Sequence, residues 1–137
     1  EYDVRKHELT RFLEAQNVPY VEDEYDHHEW LSVIKGLEDE PERGSRCSVC
    51  FQFRLSHAAK YAQEHGFHLL TTTLASSRWK NIRQIDTAGH LAVEAYPDVE
   101  WWDMNWRKGG LQNRRGELLR INEFYNQLYC GCEFSMR

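Results

Sequence analysis

The chain has 137 residues, 41% of them apolar and 28% charged, with 17 Lys and Arg against 22 Asp and Glu for a formal net charge of −5. That balance excludes a disordered acidic tail, and no run of eighteen apolar residues exists to cross a membrane. One domain over residues 1–137 is expected, long enough to bury roughly 68–70% of its unfolded surface.

Leu9, Phe12 and Leu13 share one face of a helix over residues 4–16, which Asn17 and Pro19 end. Val18 to Val21 reads as a short strand before the acidic turn Glu22-Asp23-Glu24, and His28 to Ile34 as a short helix. Residues 36–46 are polar and rich in Gly and Pro, a loop. From Phe51 an apolar stripe at 51, 55, 58, 59 and 62 predicts a buried helix, closed by Gly66. Phe67 to Leu74 is short and rich in β-formers, a central strand. Residues 82, 85, 88, 92, 95 and 96 mark another amphipathic helix, and Val99 to Trp102 a third strand. After the Gly109-Gly110 break, Leu118, Ile121, Phe124, Tyr125 and Leu128 mark a last helix.

Helices alternating with short strands predict an α/β fold, a parallel sheet flanked by helices. Three strands make a thin sheet, so further strands are expected upstream of Glu1. Ligands of such sheets bind at the carboxyl ends of the strands. The Thr71–Ser77 segment lies there, but Thr suits strands and Ser caps helices without any ligand.

Charge is uneven along the chain. Residues 1–46 hold 13 acids and 6 bases, residues 47–100 hold 5 of each, and residues 101–137 hold 4 acids and 6 bases. Any polyanionic partner is therefore expected at the second half. Trp101, Trp102 and Trp106 lie near Arg107 and Lys108, and aromatics among cations can stack exposed bases. A solvated surface and core packing explain the same residues without a partner.

The four cysteines stand as Cys47-x-x-Cys50 and Cys130-Gly131-Cys132. With no secretion signal in the sequence, a cytoplasmic protein is expected, where paired thiols point to metal or redox chemistry. Cys47 and Cys50 are expected just before a helix, whose N-terminus favours thiolates, with Arg43, Arg46 and Arg54 nearby. Zinc, an iron–sulfur cluster, a redox dithiol and two inert buried cysteines all fit this pair, and the polar Arg46 and Ser48 weigh against burial. A bridge between Cys130 and Cys132 would close a tight, strained ring that is easily reduced. All four cysteines ligating one zinc is the competing arrangement.

Several stretches taken together resemble the epoxyqueuosine reductase QueH family. They are Gly36-Leu37-Glu38, Glu40-Pro41-Glu42-Arg43-Gly44, Arg46-Cys47-x-x-Cys50-Phe51, Arg54-Leu55 and Thr71-Thr72-Thr73-Leu74. Ser77, Lys80-Asn81, Asn105-Trp106-Arg107-Lys108-Gly109-Gly110 and Tyr129-Cys130-Gly131-Cys132-Glu133-Phe134-Ser135 complete the set. The resemblance implies an oxidoreductase of tRNA modification that reduces epoxyqueuosine to queuosine at the anticodon wobble position by two electrons. It implies an adenine-nucleotide α-hydrolase-like (HUP) fold. It implies a [4Fe–4S] cluster held in part by Cys47 and Cys50, and a redox-active pair at Cys130 and Cys132. Its partners are tRNA carrying epoxyqueuosine and an unidentified electron donor, with no membrane.

The family also carries two adjacent cysteines after its first strand, and no adjacent pair occurs here. A four-iron cluster normally takes four ligands. The remaining two, with the first strand and helix, are expected before Glu1. Arg107, Lys108, Arg114 and Arg115 are the expected RNA contacts, and Tyr129 and Asp103 are candidate proton donors. Two other classes fit the cysteines, a zinc-binding RNA-binding module without catalysis and a general thiol oxidoreductase. The second lacks the Trp or Pro that accompanies C-x-x-C in thioredoxin-like proteins.

Overall fold

A computed structural model describes residues 1–136. The chain falls into two compact units, Glu1–Asp26 with Asn113–Arg137, and His27–Gln112.

The His27–Gln112 unit contains α2 (His27–Val33), α3 (Ser45–Glu64), β1 (Leu69–Leu70), α4 (Ile82–Val93) and β2 (Glu100–Trp101). β1 and β2 pair in parallel, with Leu69 opposite Glu100 and Leu70 opposite Trp101. The α/β class and the parallel pairing are as expected, but each strand is two residues long. Phe67 and Leu69 are exposed, so β1 is not the central strand expected over 67–74.

The core of this unit lies between α3 and α4. Phe51, Leu55 and Ala59 of α3 meet Ile85, Ala88 and Ala92 of α4, with Trp101 of β2 beneath. Spacings of three and four put each set on one helix face, and the alanines let the helices approach closely. Gly89 completes the fit, since a Cβ there would fall well inside 3.0 Å of three atoms of the Trp101 indole. Asn81 starts α4 by accepting the Arg83 backbone N–H at 3.0 Å.

The hydroxyls at the end of β1 are spent on the chain itself. Thr71 Oγ1 donates to the Trp102 carbonyl at 3.1 Å, and Thr72 Oγ1 accepts the Leu74 N–H at 3.2 Å to cap a 3₁₀ turn over Thr73–Ser76.

The other unit joins α1 (Tyr2–Ala15) to most of α5 (Leu111–Ile121) and the residues that follow. Phe12 meets Phe124 with ring centroids 4.9 Å apart, and the Arg11 guanidinium lies 5.8 Å from the Phe124 ring centre. The Tyr125 N–H donates to Glu8 Oε2 at 2.9 Å.

Two expected elements are corrected here. Residues 18–21 form no strand. Asn17 takes a left-handed φ of 54°, the Val18 N–H returns to the Leu13 carbonyl at 2.9 Å, and Tyr20 donates to Glu14 at 2.9 Å, which leads the segment back along α1. The last helix is Leu111–Ile121 rather than 118–128. Asn122 folds its side-chain amide onto the Leu118 carbonyl at 2.9 Å, and Glu123 turns left-handed at φ 51°. Phe124 and Tyr125 therefore reach α1 from beyond the helix, and Leu128 is 93% exposed.

Candidate functional site

Cys47 and Cys50 lie inside the first turns of α3, not before it, because the helix starts at Ser45. Three residues apart, they share a helix face, and both are half-buried. The Arg43 backbone N–H donates to Cys47 Sγ at 3.3 Å. That bond fixes where the Cys47 sulfur points.

The loop before α3 is built to hold this arrangement. Arg43 takes a left-handed φ of 68°, unusual for a side chain of its size. It is pinned on two sides: its Nε donates to the Trp79 carbonyl at 2.9 Å, and its own carbonyl accepts Gln84 Nε2 at 2.7 Å. The same Gln84 nitrogen reaches Ser48 Oγ at 2.8 Å, tying the cysteine-bearing turn to α4. Glu40 Oε2 accepts the Ser45 N–H at 3.0 Å, and a Cβ on Gly44 would stand 2.9 Å from the Pro41 carbonyl oxygen, so this position takes glycine.

Arg46 departs furthest from expectation. Its polarity weighs against burial of the cysteine turn, yet it is the one buried charged residue among the described residues, at 2% exposure. Its Nη1 donates to the carbonyls of Leu37 at 3.3 Å, Glu38 at 2.6 Å and Glu40 at 2.6 Å. Those bonds give the Glu38 and Glu40 carbonyls a donor and add a second to the Leu37 carbonyl, which also accepts the Glu40 N–H at 3.1 Å. The sequence signal was there, an arginine beside a metal-type cysteine after a Pro- and Gly-rich loop, but its direction could not be read.

Cys130 and Cys132 belong to the other unit and flank Gly131, whose φ of +90° bends the chain sharply. Both are half-buried, and all four cysteines of the chain are thiols. The turn is held on both sides. Ser135 Oγ donates to the Cys132 carbonyl at 2.7 Å, and Arg5 Nη2 donates to the carbonyls of Tyr129 at 3.2 Å and Cys130 at 2.8 Å. Nothing in the spacing of the sequence connects Arg5 to a turn more than a hundred residues away.

Soft thiolate donors on one helix face fit an iron–sulfur cluster in kind. In number they supply two positions, and among the described residues no three His, Cys, Asp or Glu side chains converge as a metal site.

The expected RNA contacts differ from one another. Arg107 is half-buried, donating from Nη1 to the Lys80 carbonyl at 3.2 Å and from Nε to Asn105 Oδ1 at 3.4 Å, so it holds a loop together. Lys108 is exposed. Arg114 pairs with Glu117 at 2.6 Å, and Arg115 is half-buried on α5. Another pair, Arg78 and Trp79, is more accessible. Trp79 is 65% exposed, and the Arg78 guanidinium lies 5.1 Å from the centre of its ring. Trp102, 42% exposed, meets Trp106 edge-on at 5.3 Å, and the Trp106 indole N–H donates to the Thr72 carbonyl at 3.1 Å.

Asp103 is exposed in the loop after β2, while Tyr129 is half-buried beside Cys130. Asp86 of α4 is a third carboxyl of interest. Burial of its side chain pushes its pKa up, and Asp103 adds to that; the Trp101 indole, His90 and Arg107 act against it. The indole N–H lies near enough to favour the carboxylate but outside hydrogen-bond geometry, leaving Asp86 Oδ1 and Trp101 Nε1 both buried without a bond.

The family model described as epoxyqueuosine reductase QueH matches residues 1–137. Proteins named epoxyqueuosine reductase QueH are similar over all 137 residues. That of Histophilus somni is 49% identical with 56% of its length covered, that of Acinetobacter baylyi 47% with 63%, and that of Haemophilus influenzae 47% with 56%. The chain thus spans somewhat more than half the length of these relatives. No helix among the described residues is long and apolar enough to cross a membrane. With a match that runs from the first residue to the last, the chain belongs to the epoxyqueuosine reductase QueH family.

Proposed function

We propose that this chain is part of an epoxyqueuosine reductase that converts epoxyqueuosine to queuosine at the wobble position of tRNA. The match of all 137 residues to the family carries the reading. The chemistry of the two thiol pairs supports it. Taking the oxygen from an epoxide to leave an alkene consumes two electrons and two protons and releases one water. Oxidation of the Cys130 and Cys132 thiols to a disulfide releases two electrons and two protons, so the two half-reactions balance. An external reductant, not identified here, returns the disulfide to the dithiol.

Cys47 and Cys50 are the proposed ligands from this chain to a [4Fe–4S] cluster, which when bound supplies one-electron transfer and a Lewis-acidic iron. What supports the role is their place on the first turns of α3 and the Arg43 N–H on Cys47 Sγ. That loop fixes where the thiols point, and buried Arg46 fixes the loop. Tyr129 and Asp103 stay as proposed proton donors, Tyr129 supported by its place beside Cys130. Lys108 and the Arg78–Trp79 pair offer cations and an exposed ring to an unpaired anticodon base. Arg107 acts by shaping that loop. We further propose that β1 and β2 belong to a sheet of the adenine-nucleotide α-hydrolase type, and place the protein in the cytoplasm; the β1–α4–β2 order and parallel pairing support the first.

Full-length protein, reconstituted anaerobically with iron and sulfide, should convert epoxyqueuosine in tRNA to queuosine by nucleoside mass spectrometry. Zinc without iron or sulfide, tRNA binding and no conversion would favour a zinc-dependent RNA-binding module instead.

A further inference from the structure

We propose that Arg5 is a positioning residue for the Cys130-Gly131-Cys132 turn and biases that pair toward the dithiol. The inference rests on the reading of Cys130 and Cys132 as a redox pair. Arg5 Nη2 holds two successive carbonyls, those of Tyr129 and Cys130, at 3.2 and 2.8 Å. Its guanidinium also lies against Gly131. A Cβ on that glycine would stand 2.8 Å from Nη2, 3.0 Å from Cζ and 3.1 Å from Nη1. The absence of a side chain between the two cysteines is therefore what lets the cation reach the backbone there. Arg5 is itself oriented, since its Nε meets Glu1 Oε1 at 3.0 Å while the Tyr125 hydroxyl donates to Glu1 Oε2 at 3.2 Å.

This contact acts through the backbone of the turn. The Cys130 carbonyl belongs to a peptide unit that lies inside the ring a Cys130–Cys132 bridge would close. Closing the ring must turn that unit, and the Arg5 bonds resist the turn. They are made here with both cysteines as thiols. Holding the backbone of the dithiol stabilises the reduced form and so raises the reduction potential. In the reaction written above, the disulfide takes up two electrons and two protons to become the dithiol. Arg5 favours that direction and eases regeneration of the pair by a thiol reductant.

The test is a redox titration of the full-length protein in glutathione buffers. Acid quenching and differential alkylation are followed by mass spectrometry of the peptide that carries Cys130 and Cys132. The parent should show one two-electron transition. Arg5→Ala should shift its equilibrium constant at least tenfold toward the disulfide, a potential about 30 mV lower. Arg5→Lys keeps the charge, loses the fork and perturbs folding least, so it should shift the constant in the same direction by a smaller factor. Transitions in both variants that coincide with the parent's overturn the clamp. A parent with no transition at this peptide overturns the redox reading itself, and the clamp with it.

Discussion

Arg46 is a cation taken out of water with backbone carbonyls around it. Three acceptors from one short loop converge on its Nη1, at 3.3, 2.6 and 2.6 Å. Arg46→Met keeps much of the volume and strands the Glu38 and Glu40 carbonyls, each worth about 1–3 kcal/mol when buried unpaired, while the Leu37 carbonyl keeps the Glu40 N–H. Some of them regain water as the loop loosens, so we expect a loss on the order of 3 kcal/mol, read as a lower urea midpoint. A midpoint equal to the parent's would show that the loop holds without the guanidinium. Asp86 makes a prediction about pH. Its pKa is raised in the folded chain, chiefly by burial, so the native state binds this proton more tightly than the unfolded chain does. Its contribution to stability is fully present below the unfolded carboxyl range, near pH ~4, and is lost as pH rises through the raised native value. Asp86→Asn stays neutral throughout. The variant should therefore unfold at a slightly higher temperature than the parent at pH 7, with the gap closing toward pH 4. The effect is small because part of the side chain faces solvent. A variant that is less stable at pH 7 would mean that the carboxylate has a partner worth more than its burial costs.

Among the elements, α4 shows where local preference and packing disagree. Alanine is a better helix former than glycine by about 1 kcal/mol, so helix propensity alone favours Gly89→Ala. Packing opposes it, since the new methyl would overlap the Trp101 indole in a closed core, and overpacking costs about 1–3 kcal/mol. Net destabilisation of about 1–2 kcal/mol is expected in thermal unfolding; a gain would show that Trp101 can step aside. α1 and α4 were legible within a few residues, and α3 in its buried stripe, though α3 starts at Ser45 rather than near Phe51. What failed depended on distant partners. Val18 to Val21 has strand-type residues but no strand beside it, and turns back on α1 instead. Phe124 and Tyr125 fit a helical stripe with Leu118 and Ile121, yet the Phe124 ring meets Phe12 of α1 and the Tyr125 N–H bonds Glu8 after Asn122 and Glu123 have stopped the helix. The site divides in the same way. The cysteine spacings could be read from the sequence, whereas the buried direction of Arg46, the loop role of Arg107 and the reach of Arg5 exist only once the chain has folded.

For the molecule as a whole, the two thiol pairs fall in different compact units, and each should fail in its own manner. Cys47→Ser is expected to lower bound iron well below the parent's stoichiometry and to abolish conversion of epoxyqueuosine. Cys130→Ser is expected to abolish turnover with iron content and the cluster's visible absorption unchanged. Iron retained in full by the first variant, or lost from the second, would overturn the division of roles between the pairs. The boundary that separates the thiols also sorts the chromophores. All five tryptophans lie within His27–Gln112, and five of the seven tyrosines lie outside it. Indole emission therefore reports on the unit that carries Cys47 and Cys50 and is blind to the one that carries Cys130 and Cys132. Phenol emission comes mostly from the latter. A single unlabelled sample, excited at two wavelengths during denaturation, yields separate melting records for the unit with the proposed cluster ligands and the unit with the proposed redox pair.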